Sequence, residues 1–317
     1  MKQKKVSLFL LFFLCYLFKT ATAIPPFAYI SYSTYNVGDD IQAIAAKRFL
    51  PENSIGIDRE FISQFEHNSK VNTIINGWFM QTKKLGWYLP HVKAPEKSWP
   101  PSPVLNPLLI SIHFAPKFIS SALSKEGIAY LKKHGPVGAR DYYTLTELQK
   151  RGIPSYFSGC LTLTLDNPHT KREDVIYVVD LDNACINFIK SKTKYKVERL
   201  HHEKRKLMSL KGEERFQYAE TFLEKYRKAK CVITSRLHAA MPCLAFKTPV
   251  LLIKEDRYRF GGLRQLVRSC SKKALLDGNV NFDFDNPPKN PTAYIPIREN
   301  LIELVINWVT QNLEHQL

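Results

Sequence analysis

Short apolar runs alternate with polar segments along the chain, and residues 231–253 show this pattern in its most regular form. Residues 231–233 form an apolar run with the length of a buried strand. Residues 236–246 carry apolar side chains at helical spacing and are followed by Lys-Thr-Pro, after which residues 250–253 are apolar again. This order predicts a strand, a helix and a second strand, which is the repeating unit of a parallel sheet.

The polar residues of this unit lie where its first strand ends and its helix begins. Ser235 is expected to cap the helix, whose free N–H groups attract anions. Arg236 adds a guanidinium suited to phosphate or carboxylate, and His238 titrates near neutral pH. The three residues predict a phosphate site with an acid or base beside it. The alternative is a capped core helix whose Arg236 and His238 point into solvent.

A similar unit lies near the N-terminus, with a strand predicted at 27–32, a polar loop at 33–40 and a helix at 41–49. Asp39 or Asp40 is expected to cap this helix, and the Asn-x-Gly sequence before it predicts a tight turn. Asp39 and Gln42 are expected to project into one ligand-binding crevice. The turn residues Asn36 and Gly38 are substrate-binding candidates beside them. The alternative is a turn followed by a well-capped helix.

Three further strands, predicted at 73–75, 108–112 and 137–139, each precede a polar or aromatic residue. Those residues are Trp78, His113 and Arg140. In open α/β sheets, ligands bind at the carboxyl ends of the strands, so these side chains are candidates for the same site. The alternatives are ordinary loop positions and an arginine–aspartate pair that only holds a loop.

The composition becomes polar and charged at 166–174, which predicts a domain boundary. A second series of strands begins after it, and an amphipathic helix is predicted at 297–312. We therefore expect an α/β protein with an N-terminal domain at 24–168. A C-terminal domain is expected at 169–317, ending in this helix.

Residues 1–23 have the pattern of a secretory signal peptide. Three lysines precede an apolar run at 6–18, and the Ala-Thr-Ala sequence that follows predicts cleavage after Ala23. The apolar run is short for a membrane-spanning helix, and an uncleaved signal anchor is the alternative. The sequence thus predicts export or entry into the secretory pathway, which means a periplasmic, secreted or Golgi-lumenal protein.

The formal net charge is +17, and basic residues are densest at 190–196 and 204–211. Such a surface attracts anionic substrates, polysaccharides or lipid headgroups, and the last of these predicts peripheral membrane association. The signal peptide and the lack of a recognised motif argue against nucleic acid as a partner.

Five cysteines lie beyond the predicted signal peptide. Their odd number and the lack of a Cys-x-x-Cys motif argue against a zinc site and against a disulfide scaffold. The sequence does not select a pair for a single disulfide among Cys160, Cys185, Cys231, Cys243 and Cys270. No constellation of metal ligands is visible, so we predict no metal requirement.

Three short motifs occur in a characteristic order: Asn-Val-Gly-Asp-x-x-Gln at 36–42, Gly-Ala-Arg-Asp at 138–141 with the segment 158–165, and a segment at 233–240 that contains Arg-Leu-His. With these motifs the chain resembles the polysaccharide pyruvyl transferase family over roughly residues 27–266. The resemblance implies two Rossmann-like domains that face each other, similar to the GT-B arrangement of glycosyltransferases.

The resemblance also implies a reaction, in which the pyruvyl group of phosphoenolpyruvate moves to sugar hydroxyls as a ketal without a cofactor. The family's Arg-Leu-His motif, which is associated with phosphoenolpyruvate, matches 236–238. Together with Arg140 it is expected to bind the donor's phosphate and carboxylate. We expect His238 to be a general acid or a phosphate ligand, and Asp39 to be the acceptor's base or to orient the acceptor. The acceptor is expected to be a glycan or a lipid-linked sugar.

Two other functions are consistent with the same residues. A GT-B glycosyltransferase would hold the diphosphate of a nucleotide sugar with Arg236 and the helix N-terminus. A non-catalytic glycan-binding protein would instead stack sugars on Trp78, Trp87 and Trp99. The signal peptide bears on this choice, because phosphoenolpyruvate is abundant in the cytoplasm and an exported enzyme must obtain it elsewhere. Donor binding distinguishes the three functions.

Overall fold

The computed structural model describes residues 26–80, 98–169, 171–253 and 260–314. The predicted signal peptide at 1–23 and Trp87 lie outside these residues. Within the described ranges the chain forms two parallel β-sheets with helices, so it is an α/β protein. None of the helices in these ranges is long and apolar enough to cross a bilayer.

The first sheet contains six parallel strands in the order β2-β1-β3-β4-β5-β6. The strands are Phe27–Ser31 (β1), Ile55–Asp58 (β2), Val71–Phe79 (β3), Leu105–Phe114 (β4), Val137–Ala139 (β5) and Ser155–Phe157 (β6). Because all the pairings are parallel, the carboxyl ends of these strands share one edge of the sheet. The candidate residues predicted at strand ends are therefore brought to the same side of the molecule.

Strands β3 and β4 run further than the sequence predicts. The Asn-Gly sequence at 76–77 has the composition of a turn, but it forms an irregular step in the strand pairing, where Gly77 has a φ of 122°. Trp78 and His113 are consequently paired with each other inside the sheet. The expectation that these two residues follow their strands is wrong.

In the described part of the chain, four α-helices accompany the first sheet: Val37–Lys47 (α1), Ile119–Ala122 (α2), Lys125–His134 (α3) and Tyr142–Gln149 (α4). Helix α1 begins four residues earlier than predicted. Its cap is Asn36, whose side-chain oxygen accepts a hydrogen bond from Gly38 N at 3.0 Å. Asp39 and Asp40 lie in the first turn, where the helix dipole favours negative charge. The prediction that one of them is the cap is wrong, because Asn is an equally good N-cap and comes first.

The second sheet contains five parallel strands in the order β11-β10-β9-β7-β8. They are Val175–Val179 (β7), Lys196–Leu200 (β8), Cys231–Thr234 (β9), Val250–Ile253 (β10) and Ser269–Cys270 (β11). The accompanying helices are Asn183–Ser191 (α5), Glu213–Lys228 (α6), Leu237–Ala245 (α7), Lys272–Leu276 (α8) and Tyr294–Glu314 (α9). The strand–helix–strand unit predicted at 231–253 is confirmed as β9, α7 and β10.

One apolar core extends through both sheets. Helix α1 contacts β1 and β3, helix α7 contacts β9 and β10, and α1, α6 and α7 contact one another. Ile41 on α1 and Leu244 on α7 are fully buried in this core. A second, smaller core covers the other face of the second sheet and includes Cys185 on α5. The shared core holds the N-termini of α1 and α7 beside each other.

The connection at 166–174, where the chain passes from the first sheet to the second, is tied to the second half by hydrogen bonds. Asn167 Nδ2 donates to the carbonyl of Arg227 at 3.1 Å, and Arg172 Nη1 donates to Thr248 Oγ1 at 2.7 Å. Polar side chains of this segment thus fix its position by hydrogen bonds to the second half of the chain. A division into two facing domains at 168/169 stays a prediction.

The predicted terminal helix is confirmed as α9, Tyr294–Glu314, and it packs on the first sheet. Asn106 Nδ2 on β4 donates to Asn312 Oδ1 at 2.9 Å. The rings of Phe27 and Trp308 meet edge to face with centroids 6.1 Å apart. Helix α9 therefore returns from the second sheet to the first.

Candidate functional site

The N-terminus of α1 lies against the N-terminus of α7. A β-carbon placed on Gly38 would be 3.1 Å from His238 Nδ1 and 3.2 Å from His238 Cβ. Only glycine leaves His238 its present position without displacement, because it has no side chain to occupy this space. The prediction of Gly38 in a tight turn is wrong, since it lies in the first helical turn. The first and third sequence motifs meet at this contact.

The loop before α1 pairs with the loop that follows β8. Asn36 and Glu203 form an isolated antiparallel bridge, and Val37 N donates to His202 O at 2.9 Å. The side-chain oxygen of Asn36 is used to cap α1. Asn36, a residue of the first motif, therefore has a structural role, because it fixes the position of this loop.

Three of the predicted residues form one hydrogen-bonded chain beneath α1. Arg140 Nη1 donates to Gln42 Oε1 at 3.1 Å, and Gln42 Nε2 donates to Asp39 Oδ1 at 3.3 Å. The other oxygen of Asp39 accepts a hydrogen bond from Thr34 Oγ1 at 2.7 Å. All four residues are buried. The first and second motifs are thus joined through Gln42, one helical turn after Gly38.

Arg140 differs from the other buried arginines nearby. Arg59 is paired with Glu60, and Arg215 Nε donates to Asp40 Oδ1 at 2.8 Å. Burial raises the pKa of Asp40 to about 7, and the hydrogen bond from Arg215 acts in the opposite direction. Arg140 is only 2% exposed, and its Nε has no hydrogen-bond partner among the described residues. A buried cation that lacks a carboxylate partner is suited to bind an anion.

Arg236 makes ion pairs with two carboxylates. Its Nε donates to Asp180 Oδ2 at 2.7 Å, and its Nη2 donates to Glu203 Oε1 at 2.8 Å. Burial favours a higher pKa for Asp180, but the charge of Arg236 and further hydrogen bonds hold this pKa below its usual value. Burial likewise opposes the charge of Arg236, and the two carboxylates leave its pKa raised. Arg236 and Asp180 therefore stay ionised at neutral pH.

Ser235 does not cap α7, contrary to the sequence prediction. The helix begins at Leu237, Arg236 is at the cap position, and no side chain makes a capping hydrogen bond. Ser235 Oγ donates instead to the carbonyl of Asp180 at 2.8 Å, and Thr234 Oγ1 accepts from Arg236 N at 2.9 Å. The first-turn N–H groups of α7 are consequently not used by a side-chain cap.

Comparison with known families places this site in context. The family model for polysaccharide pyruvyl transferase matches residues 36–257, which include all three motifs. The chain belongs to the polysaccharide pyruvyl transferase family. In this family member, the matched region begins at Asn36, the cap of α1, and extends past the end of β10.

The search of curated proteins gave no match. Among solved structures, the S. aureus MnaA–UDP co-structure matches with 11% sequence identity and a TM-score of 0.42, covering 90% of this chain and 98% of that chain. A similarity this low supports no argument about the function of this pyruvyl transferase family member.

His113 and Trp78 lie beside Asp141. His113 Nδ1 is 2.5 Å from Asp141 Oδ2, both side chains are buried, and Asp141 also caps α4 by accepting from Thr144 N. The ring of Trp78 lies 6.1 Å from that of His113. Arg140 and Asp141 are thus not paired with each other, although they are neighbours in sequence. The structure gives Asp141 a buried histidine as its partner.

Metal ligands and disulfides contribute nothing to the described part of the site. Among the described residues, no group of three His, Cys, Asp or Glu side chains is placed to hold a metal ion. The five cysteines beyond the predicted signal peptide are free thiols. Burial raises the pKa of Cys231 to about 12 and that of Cys270 to about 11, so these thiols are poor nucleophiles.

The sequence analysis did not identify Asp180, Glu203 or Arg59, although each lies among the predicted residues. Asp180 follows β7 and has a φ of 53°, a conformation that Asp tolerates better than most residues. Its position after a strand is the same signal that pointed to Arg140. Arg59 also follows a strand directly, but the sequence analysis did not predict that strand, β2. Glu203 lies in a polar segment and carries no comparable signal.

His202 supports the loop that carries Glu203. It is buried, and its Nε2 is 2.7 Å from the hydroxyl of Tyr226. Burial lowers the pKa of His202 to about 3. This histidine therefore stays neutral in the folded protein throughout the physiological pH range and serves as a hydrogen-bonding core residue.

The buried neutral His202 predicts a pH dependence of stability. Below about pH 6.5 the unfolded chain binds a proton at this residue, whereas the folded chain binds one only near pH 3. In that window the free energy of unfolding falls by about 1.4 kcal/mol for each pH unit of acidification. Between pH 7 and pH 5 the wild type should lose about 2 kcal/mol that His202→Gln does not lose, as measured by urea unfolding.

The control for this prediction is His67→Gln, because His67 is exposed. This variant should keep the pH dependence of the wild type. An equal loss on acidification in all three proteins would contradict the assignment of His202 as a buried neutral group.

Proposed function

We propose that the protein transfers the pyruvyl group of phosphoenolpyruvate to hydroxyl groups of a glycan sugar and forms a pyruvate ketal. The observation that carries this proposal is the contact between His238 and the first turn of α1, whose next turn holds Arg140 through Gln42. A titratable group and a buried cation are thereby brought to one helix, in a chain of the pyruvyl transferase family. The proposal assigns the first to catalysis and the second to donor binding.

Phosphoenolpyruvate carries a phosphate and a carboxylate, so its site needs two sets of donors. We assign the phosphate to Arg236 and the uncapped N-terminus of α7, where N–H groups and the helix dipole favour an anion. The carboxylate is assigned to Arg140, whose Nε is available. The net positive charge of the chain attracts such a donor from solution.

The proposed reaction begins with a proton transfer from protonated His238 to C3 of the enol. This step turns the methylene into a methyl group and makes C2 an oxocarbenium-like carbon. A first sugar hydroxyl attacks C2 and gives its proton to the now neutral His238. A second hydroxyl then attacks C2 as the C2–O bond to phosphate breaks, and the departing phosphate takes the second proton. The products are the ketal and inorganic phosphate.

Asp39 is assigned a supporting role in this mechanism. Both of its carboxylate oxygens already accept hydrogen bonds, from Thr34 and from Gln42, and the side chain is buried. A base must reach the proton that it removes. We therefore propose that Asp39 orients Gln42, and through it Arg140, and that it does not take the acceptor's proton.

The acceptor is proposed to be a glycan or a lipid-linked sugar in an exported compartment. The family match supports a glycan acceptor in general terms. The signal peptide pattern at 1–23 supports export, and the basic surface supports contact with anionic polymers or headgroups. In this proposal the reaction needs no cofactor, because the donor itself is activated.

Donor binding gives the direct test of this function. Phosphoenolpyruvate at about 100 times its Kd should raise the free energy of unfolding by about 2.7 kcal/mol, seen as a higher melting temperature. Arg236→Ala should abolish this increase, because it removes the cation assigned to the phosphate. Arg199→Ala, which changes an exposed arginine on β8, should leave the increase intact.

A melting temperature that phosphoenolpyruvate does not change would contradict the proposed donor. The same measurement with nucleotide sugars then distinguishes a glycosyltransferase, which they would stabilise, from a glycan-binding protein, which they would not. An increase that persists in Arg236→Ala would place the donor away from α7.

A further inference from the structure

The two carboxylates on Arg236 differ in exposure and in the edge of the guanidinium that they contact. The Asp180 side chain is 11% exposed and accepts from Nε, whereas the Glu203 side chain is 51% exposed and accepts from Nη2. Solvent and salt screen an exposed ion pair strongly, and they screen a partly buried one less. The two contacts therefore have different strengths and need not have the same role.

Asp180 is held in place independently of Arg236. Its carboxylate oxygens also accept a hydrogen bond from His202 N at 3.1 Å and contact His201 Nδ1 at 3.0 Å. Its backbone carbonyl accepts from Ser235 Oγ at 2.8 Å, next to Arg236 itself. A carboxylate with so many fixed partners defines the direction in which the side chain of Arg236 points.

Glu203 contacts a terminal nitrogen of the Arg236 guanidinium, where an anionic ligand would also bind. A guanidinium binds phosphate or carboxylate best through two parallel N–H groups. With Nε already on Asp180, the remaining pair is Nη1 and Nη2, and Glu203 occupies Nη2. Within the described residues, Nη1 is the part of the fork that no carboxylate uses. A ligand that binds through both nitrogens therefore meets the Glu203 carboxylate at Nη2 and competes with it for this nitrogen.

We propose that Asp180 positions Arg236 for the donor and that Glu203 is an internal competitor, which the anionic group of the donor displaces. The backbone bridge between Glu203 and Asn36 can persist during this exchange, because only the glutamate side chain has to move. The inference rests on the proposed function for the identity of the donor. The replacement of Glu203 on Arg236 by an anion applies to any ligand that carries a phosphate.

Two substitutions on the same arginine test this inference. Asp180→Asn and Glu203→Gln each remove one negative charge beside Arg236 and keep the size of the side chain. If the carboxylates acted only through their charge, both variants would bind anions more tightly. We expect opposite results in calorimetry with phosphoenolpyruvate. Glu203→Gln should lower Kd about fivefold, a change that corresponds to the energy of a weak exposed ion pair. Asp180→Asn should raise Kd about tenfold, because Arg236 loses a charged hydrogen-bond partner.

The controls separate positioning from folding and from general charge. Asp180→Glu keeps the charge but lengthens the side chain, and it should also weaken binding. The melting temperature of each unliganded variant identifies a folding defect. Glu303→Gln removes a charge from an exposed position on α9 and should leave Kd unchanged.

Titration with inorganic phosphate separates this inference from the proposed function. One outcome is that Asp180→Asn raises the Kd for inorganic phosphate and Glu203→Gln lowers it, while phosphoenolpyruvate does not bind. The inference then stands and the proposed donor is wrong. If phosphoenolpyruvate binds and Arg236→Ala abolishes binding, yet Glu203→Gln binds no more tightly than the wild type, the competitor role is wrong. Tighter binding by both Asp180 variants would overturn the positioning role.

Discussion

His238→Ala is expected to lower kcat at least about 100-fold, because general acid catalysis by a positioned side chain contributes about 10²- to 10⁴-fold. His238 is the titratable group that Gly38 allows to lie against α1. The donor should still bind, since Arg140 and Arg236 are unchanged in the variant. Phosphate release with a glycan acceptor measures kcat, and calorimetry with phosphoenolpyruvate measures Kd separately.

The matched control is His67→Ala, which removes an exposed histidine and should leave both kcat and Kd unchanged. A different pattern would assign His238 another role. If His238→Ala raises the KM for phosphoenolpyruvate while kcat stays the same, the imidazole contributes binding that is equal in the ground state and the transition state. His238 would then be a phosphate ligand, and another group would protonate C3.

The sequence predicted the main elements of the fold well where the pattern is local. The unit at 231–253 has two apolar runs of strand length around a helix, and it folds in that way as β9, α7 and β10. The rule that polar residues follow parallel strands also placed Arg140 at the correct edge. These predictions hold because the periodicity of buried side chains depends on neighbours in the chain.

Caps and strand ends were less predictable, because several residues compete for one position. Asn36, Asp39 and Asp40 are all good N-caps, and the helix uses the first of them. Ser235 has the right composition for a cap, but its hydroxyl is engaged by the carbonyl of Asp180, 55 residues away. This contact forms because β7 pairs with β9. The capping propensity of Ser235 alone does not predict that pairing.

Charge pairing was the least predictable part of the site. Arg215 pairs with Asp40 across 175 residues, and Arg140 donates to Gln42 across 98 residues. Arg140 and Asp141 are adjacent and look like a pair, yet successive side chains of an extended segment point to opposite sides. Only the fold shows that Arg140 is a buried arginine with no carboxylate partner among the described residues. This difference is the basis of the remaining prediction.

Arg140→Met and Arg215→Met are expected to differ in their effect on stability. Arg215→Met leaves Asp40 buried without its partner and should lower the free energy of unfolding by about 3–5 kcal/mol. Arg140→Met removes a buried cation whose Nε has no partner among the described residues, so the free energy of unfolding should stay the same or rise. The same substitution should abolish stabilisation by phosphoenolpyruvate. Urea unfolding with and without the donor measures both effects.

This pair of variants distinguishes a functional arginine from a structural one. An unpaired buried charge is unfavourable until its ligand binds. Replacing an arginine that serves ligand binding should therefore preserve or raise the free energy of unfolding and eliminate binding of the ligand. If Arg140→Met is destabilised as strongly as Arg215→Met, Arg140 holds the fold through Gln42, and the carboxylate of the donor must bind elsewhere. If Arg140→Met is stable and still responds to phosphoenolpyruvate, Arg236 and α7 bind the donor without it.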